Sequence, residues 1–215
     1  MSGPRVVGPH QRDVLQAAVA AGRVIAVPGD GGYHLAVGCA DPAALVRLSA
    51  LFTGVDHDAP RHVVVGHHDQ AAALTSMWSN EARLLTDRMW PGPLAVIVPG
   101  DEGPVCVTMP AARSLRLLCR HAGPLAVMAL RRSDGQPIVT ADDVQARWTD
   151  QEVALILNGG TCRGPGPTVV DCTVSPPAVR RVGALPESFV DATFMMGRRR
   201  RGWFGRRRGT GVGPG

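Results

Sequence analysis

The pentapeptide Trp90-Pro91-Gly92-Pro93-Leu94, followed at once by Ala95-Val96-Ile97-Val98, constrains this chain more than any other stretch. Two prolines around a glycine fix a sharp, low-entropy turn with few backbone donors, and the apolar β-branched run behind it reads as a buried strand. Pro99-Gly100-Asp101-Glu102-Gly103 then turns the chain into Val105-Cys106-Val107-Thr108. Strands 94–98 and 105–108 are therefore expected as antiparallel neighbours.

Around this turn the pattern alternates between hairpin-connected and helix-connected strands. His10 to Ala21 reads as a helix closed by Gly22, and Arg23 to Val27 as a buried strand stopped by Pro28. Gly29-Asp30-Gly31-Gly32-Tyr33-His34-Leu35 is expected as a flexible loop after that strand, the place where open α/β sheets hold ligands, with a plain chain reversal as the other reading. Asp41-Pro42 opens a second helix as N-cap and first-turn proline, and His62 to Val65 is a short strand. Leu74 to Met89 reads as helical with a break near Trp78-Ser79, and Ala111 to His121 as a helix ended by Gly123-Pro124. Leu125 to Leu130 is the next strand, Ala141 to Trp148 a helix capped by Thr140, and Val153 to Leu157 a fully apolar strand expected at the centre of the sheet. A second glycine-rich loop, Asn158 to Pro167, leads into strand Thr168 to Asp171, and Ala178 to Val182 closes the core. The fold class expected is α/β, a twisted mixed sheet with flanking helices.

With 215 residues, 45% of them hydrophobic, the chain suffices for one core. Residues 1–193 are expected as that domain and 194–215 as a disordered Arg/Gly-rich tail. No run approaches the ~20 apolar residues of a membrane span and no charged-then-apolar leader is evident, so a cytoplasmic protein is expected. The five cysteines show no Cys-x-x-Cys pair and read as free thiols, and the side chains of His67 and His68 point apart, so no metal site is expected. All 23 basic residues are arginine. Seven of them, Arg198, Arg199, Arg200, Arg201, Arg206, Arg207 and Arg208, lie in the tail around Trp203-Phe204, leaving the rest slightly acidic. Cations interleaved with aromatics suit nucleic acid by phosphate pairing and base stacking; a solubilising tail, or one for an anionic surface, is the other reading.

Standard catalytic motifs fail here: no P-loop lysine, no G-x-G-x-x-G between strand and helix, no G-x-S-x-G and no H-E-x-x-H. The order of the pieces, however, resembles the YrdC-like family of threonylcarbamoyl-adenylate synthases. That family's first strand ends Pro-Thr-Asp-Thr and then Tyr-Gly-Leu; here it ends Pro28-Gly29-Asp30-Gly31 and then Tyr33-His34-Leu35. Its Trp-Pro-Gly-Pro-Leu is matched by Trp90 to Leu94, and its Ser-Thr-Val-Val-Asp is similar to Pro167 to Asp171. Leu125 to Ser133 is similar to its Pro-Leu-x-x-x-Ser-Ala-Asn-x-Ser-Gly segment, Asn158-Gly159-Gly160 to its strand-ending glycine, and Arg181 to Ala184 to its closing Leu-Arg-Pro-Gly. The resemblance implies a sheet around a concave cavity, and an activity joining ATP, threonine and bicarbonate into threonylcarbamoyl-AMP for transfer-RNA modification, with ATP and magnesium bound.

The departures fall on the groups that chemistry needs. The family's Lys-Gly-Arg aligns with Thr53-Gly54-Val55, its Arg-Val-Pro with Thr108-Met109-Pro110, its Ser-Ala-Asn with Ala129-Leu130-Arg131, and two threonines with Gly29 and Gly31. Removing a phosphate or oxyanion donor costs about 3 to 4 kcal/mol of transition-state stabilisation. The function expected is thus a divergent YrdC-like protein with a degraded synthase site that binds nucleotide or RNA, double-stranded or transfer RNA. The alternative is an active synthase in which Arg131, Arg132 and Arg163 supply the cations. Candidate ligand-binding residues are Asp30, Tyr33, Arg131, Thr168 and Arg181. For Tyr33 packing is the other reading, and for Arg181 an ion pair with Asp171 or another acid; Asp171 itself either anchors a strand end or meets a ligand.

Overall fold

The structure, a computed structural model, describes residues 3–52, 59–75 and 77–205, with 197–205 as backbone alone. In chain order the elements are β1 (Arg5–Val7), α1 (Arg12–Ala20), β2 (Ile25–Pro28), β3 (Tyr33–Gly38), α2 (Pro42–Ser49), β4 (Arg61–Val64), α3 (His68–Ala72), α4 (Asn80–Met89), β5 (Leu94–Gly100) and β6 (Gly103–Thr108). They continue with α5 (Arg113–Ala122), β7 (Leu125–Ala129), α6 (Ala141–Gln145), β8 (Leu155–Leu157), β9 (Thr168–Asp171), β10 (Ala178–Arg181) and α7 (Glu187–Gly205). The strands form one mixed sheet in the order β1-β8-β2-β3-β7-β4-β6-β5-β9-β10. Hairpins β2–β3, β5–β6 and β9–β10 are antiparallel, whereas β1–β8, β2–β8, β4–β6 and β5–β9 are parallel. The twisted mixed sheet with flanking helices is thereby observed.

Local chemistry accounts for the element ends. Asp41 accepts a hydrogen bond from the Ala44 amide at 3.0 Å with Pro42 behind it, and Thr140 accepts from the Asp143 amide at 3.1 Å, each satisfying a first-turn N–H. At the end of α1, Gly22 takes φ +65° while the Gly22 amide bonds Val19 and the Arg23 amide bonds Ala18, a Schellman closure that a side chain at this position would strain.

Strand alternation divides the core between the two faces of the sheet. Tyr33, Leu35 and Val37 pack with Ala44 and Leu48 of α2 and Val144 of α6. The opposite face sets Ile25, Val27, Ala36, Val64, Leu125 and Val127 against Leu15 and Val19 of α1 and Leu115 and Leu118 of α5. A third cluster joins Val96, Val98, Val107 and Val170 to Leu85, Met89, Trp90 and Val190. Among the described residues no helix is long and apolar enough to cross a membrane.

Of the two readings of one stretch the structure takes the second, and two other expectations are corrected. The stretch 29–35 is a tight reversal, with the Gly29 amide bonded to the Gly32 carbonyl at 2.8 Å, and Tyr33 already opens β3, because pairing with β2 and β7 draws it into the sheet. Strand β8 stands second from the edge, not centrally; it is apolar because helices and neighbouring strands cover it. The boundary expected at residue 194 falls inside α7, whose first turns are held by the fully covered Val190 and Thr193; residues 206–215, including Arg206, Arg207 and Arg208, lie outside the described residues.

The Trp-Pro-Gly-Pro turn is bonded on every side. The Trp90 indole N–H and the Thr108 hydroxyl both donate to the Leu94 carbonyl, at 2.8 and 3.0 Å, the Gly92 amide donates to the Met109 carbonyl at 2.9 Å, and Pro93 accepts from the Thr168 amide at 2.9 Å. A Cβ on Gly92 would lie 2.3 Å from the Met89 carbonyl oxygen, so only glycine fits. Trp90→Phe is expected to lower the unfolding free energy by about 1 to 2 kcal/mol by removing the buried bond, and Gly92→Ala by more, both read from urea unfolding.

Candidate functional site

Two glycine-rich loops meet on the face that carries Val27, Val64 and Val127. A Cβ on Gly31 would stand 2.8 Å from the Gly166 Cα, and one on Gly183 would stand 2.5 Å from the Gly166 carbonyl oxygen, so small residues are required where the two loops and the segment after β10 touch. The tyrosine of the first reversal ties them together. Its hydroxyl donates to the Gly160 carbonyl and accepts from the Gly159 amide, each at 3.1 Å, and the residue is fully buried. Tyr33 is thus an internal brace.

Beside the junction of the loops lies a small cavity of about 30 Å³, lined by Gly29, Asp30, His34, His62, Thr108, Pro110 and Pro167 among apolar walls. His34 of β3 and His62 of β4 are brought to one face because β7 pairs with both strands. Their rings stand edge to face with centroids 6.1 Å apart. His34 is hydrogen-bonded to the Gly32 carbonyl, whereas the His62 Nε2 is buried without a partner. Burial first, then His34 and Arg181, push His62 down to about 3; burial, with Arg181 and Arg131 adding to it, pushes His34 down to about 4 against the opposing Gly32 bond. Both imidazoles are therefore neutral at physiological pH. Burial raises the Asp30 carboxyl, partly offset by the Ala111 amide and the Arg116 guanidinium, and burial pushes the nearby Cys106 thiol up to about 12.

The other candidates divide. Thr168 is fully buried; its hydroxyl donates to the Leu185 carbonyl at 2.6 Å and accepts from the amides of Gly183 and Leu185 at 2.9 and 3.0 Å, leaving nothing for a ligand. Arg131 is outside the cavity wall and donates to the Gly135 carbonyl at 2.9 Å. Arg181 donates to the Pro167 carbonyl at 2.9 Å and lies close enough to lower both histidines. It does not pair with Asp171. An irregularity between Val179 and Arg181 shifts the register, and Arg180 takes the carboxylate with Nε and Nη2 at 3.0 and 2.7 Å. Burial works against the Asp171 charge, but Thr173 and Arg180 hold its carboxyl below the ordinary value. Asp171 is thus a strand-end anchor. Of the replacement cations, Arg132 is engaged with Asp143 at 2.9 Å, while Arg163 sits on the exposed second loop. Thr53, Gly54 and Val55 lie outside the described residues, as do the side chains of Arg198, Arg199, Arg200 and Arg201.

His34 and His62 went unrecognised as site residues in the sequence. The available signal was His34 itself, an imidazole where the family motif has glycine; for His62 nothing short of the β3-β7-β4 adjacency reveals it. No group of three or more His, Cys, Asp and Glu side chains among the described residues is placed to hold a metal ion. Among the described residues Asp30 is the single carboxylate on the cavity wall, which suits a magnesium ion that arrives on nucleotide phosphates and takes one protein oxygen.

The neutral histidines set a pH dependence. An unfolded chain protonates them near 6.5, the folded chain only near 4 and 3, so stability is complete above about 6.5 and is lost as pH falls through that window. The loss is expected to be on the order of a few kcal/mol. Thermal unfolding at stepped pH should show a falling midpoint from pH ~7 to ~4, and His62→Leu should flatten part of that fall.

Comparison with known proteins gives a consistent relation. The Sua5/YciO/YrdC family model, described as telomere recombination, matches residues 17–183. The threonylcarbamoyl-AMP synthase of Pyrococcus abyssi is 30% identical over 177 residues, spanning 77% of this chain but 52% of that protein. A putative threonylcarbamoyl-AMP synthase of Mycobacterium tuberculosis is 29% identical over 188 residues, spanning 82% of this chain and 86% of that one. Among solved structures, Pyrococcus abyssi Sua5 complexed with L-threonine superimposes with a TM-score of 0.79 at 25% identity, over 88% of this chain and 60% of that one. Escherichia coli YciO superimposes with a TM-score of 0.74 at 20% identity, over 86% and 98% of the respective chains, a likeness of fold. The match extends from within α1, past both glycine loops and the Trp-Pro-Gly-Pro turn, to just beyond β10, and the chain belongs to the Sua5/YciO/YrdC family.

Proposed function

We propose that this protein is a threonylcarbamoyl-AMP synthase, joining threonine, bicarbonate and ATP with release of pyrophosphate. The observation that carries this reading is the continuity of the family match across every segment that meets at the cavity, together with relatives named for that activity over most of this chain. This reading takes precedence over the degraded site expected from the missing lysine and serine. In the reaction the carbamate formed on the threonine amine attacks the α-phosphorus through oxygen, and the bond to the β-phosphate oxygen breaks. The protein's task is to hold the phosphates and the shifting negative charge. Arg181 and Arg131, which act on the cavity histidines, and Arg163 on the exposed second loop are the groups for that task, since guanidinium forks bind phosphate bidentately. Magnesium would supply further charge neutralisation on the phosphates, with Asp30 as its protein ligand.

A second reading, a non-catalytic nucleotide- or RNA-binding relative, is favoured by the cavity volume, about 30 Å³ where sites for whole small molecules run to several hundred. Its RNA contact would be the arginine-aromatic tail.

Pyrophosphate release in the presence of ATP decides between them. Release that depends on both threonine and bicarbonate, and that falls on the order of a hundredfold in Arg181→Ala, is the expected result; no threonine-dependent release overturns the synthase reading. For the tail, deletion of residues 198–215 is expected to weaken double-stranded RNA binding and to flatten its salt dependence, by about 0.9 in slope for each phosphate that the tail neutralises. An affinity unchanged by the deletion removes the tail from RNA binding.

A further inference from the structure

In the synthase reading the arginine-rich end of the chain has no task, and the helix that carries it leaves apolar groups uncovered. Helix α7 runs from Glu187 to Gly205, so Arg198 to Arg201 and Trp203-Phe204 stand on the same helix as the residues that dock it. Val190 and Thr193 are covered and Phe194 joins the third core cluster, which fixes one side of the helix against α4. Phe189 and Met196, seven residues apart and thus on one side of a helix, are 50% and 44% exposed, and Met195 beside them is 66% exposed. Arg88 of α4 donates to the Met196 sulfur at 3.7 Å, which adds a cation to the edge of this strip. The acids of the helix, Glu187 and Asp191, are confined to its first two turns, whereas residues 198–215 hold seven arginines and no acid.

An apolar strip that leads into a block of arginines interrupted by two aromatics has the chemistry of a bilayer interface. There acyl chains take the apolar groups, anionic headgroups take the guanidiniums, and aromatic rings suit the boundary between them. We propose that α7 lies along an anionic lipid bilayer, with Phe189, Met195 and Met196 against the acyl chains and the arginines of the tail on the headgroups. A second copy of this chain does not suit the strip, because it would bring another seven arginines to the same contact. Nucleic acid would pair with the arginines and stack on the aromatics, but it gains nothing from two exposed methionines. The contact is interfacial, since three apolar side chains and a charged tail give reversible binding. It stands independently of the synthase reading.

Flotation of the intact chain with lipid vesicles tests this directly. Vesicles of phosphatidylglycerol mixed with phosphatidylcholine are expected to carry the protein up the gradient, and phosphatidylcholine alone is not. Raising salt from ~0.1 to ~1 M, which shortens the Debye length from about 10 to about 3 Å, is expected to release it. Deletion of residues 198–215 is expected to lower the partition coefficient on the order of a hundredfold. The deciding variant keeps every arginine: Phe189→Ser with Met195→Ser and Met196→Ser is expected to lower the coefficient about tenfold, with thermal unfolding to establish that it is folded. A blue shift of indole emission on anionic vesicles that Trp203→Phe removes is the second expected reading. No flotation with anionic vesicles overturns the proposal, and in a chain that binds double-stranded RNA it gives the tail to RNA. Equal flotation with phosphatidylcholine alone overturns it as well. So does a partition coefficient unchanged in the folded triple variant, the result if the arginines alone adhere to charge, and so does an emission indifferent to vesicles.

Discussion

The carbonyl oxygen of Leu94 accepts from both the Trp90 indole and the Thr108 hydroxyl, and the rest of the fold hangs on that junction. A buried carbonyl must be paired, and here its two partners come from the end of α4 and the end of β6. The same turn gives the Pro93 carbonyl to the Thr168 amide, which starts β9. Helix, hairpin and parallel strand are thereby set at one angle. Thr168 in turn bonds Leu185 and Gly183, and so carries the constraint to the segment that follows β10.

The cavity is the product of that framing and of close backbone approach. Gly31 and Gly166 approach so closely that a Cβ on Gly31 would stand 2.8 Å from the Gly166 Cα, which leaves no room for a side chain there. The lysine of the motif has no counterpart in a chain whose cations are all arginine. What the cavity presents is two neutral imidazoles and one carboxylate, with the guanidiniums of Arg181, Arg131 and Arg116 off its wall but near enough to act on them. Arg181, Arg131 and Arg163 are the groups left to meet phosphate.

Much of the frame was legible locally. The caps at Asp41 and Thr140, the closure at Gly22 and the β5–β6 hairpin each depend on residues within a few positions of one another, and each stands where the pattern places it. Legibility failed where an answer required a distant neighbour. The 29–35 stretch is rich in glycine and resembles a mobile loop, yet cross-strand pairing makes its second half β3. Uniform apolarity in Val153 to Leu157 told of cover on both faces, which a strand next to the edge receives as well as a central one. The ion pair that was one reading for Arg181 goes instead to Arg180, because a register irregularity brings Arg180 to Asp171.

By itself the sequence determined the family frame, the β5–β6 hairpin, the caps at Asp41 and Thr140 and the closure at Gly22, since these rest on residue identity and short-range sterics. Only the tertiary structure decided that Tyr33 and Thr168 are internal braces and that His34 and His62 share a wall with Asp30. The physical reason is pairing order. Strands β3 and β4 are separated in the chain by a helix, and β7, which arrives much later, lies between them and brings both imidazoles to the same face.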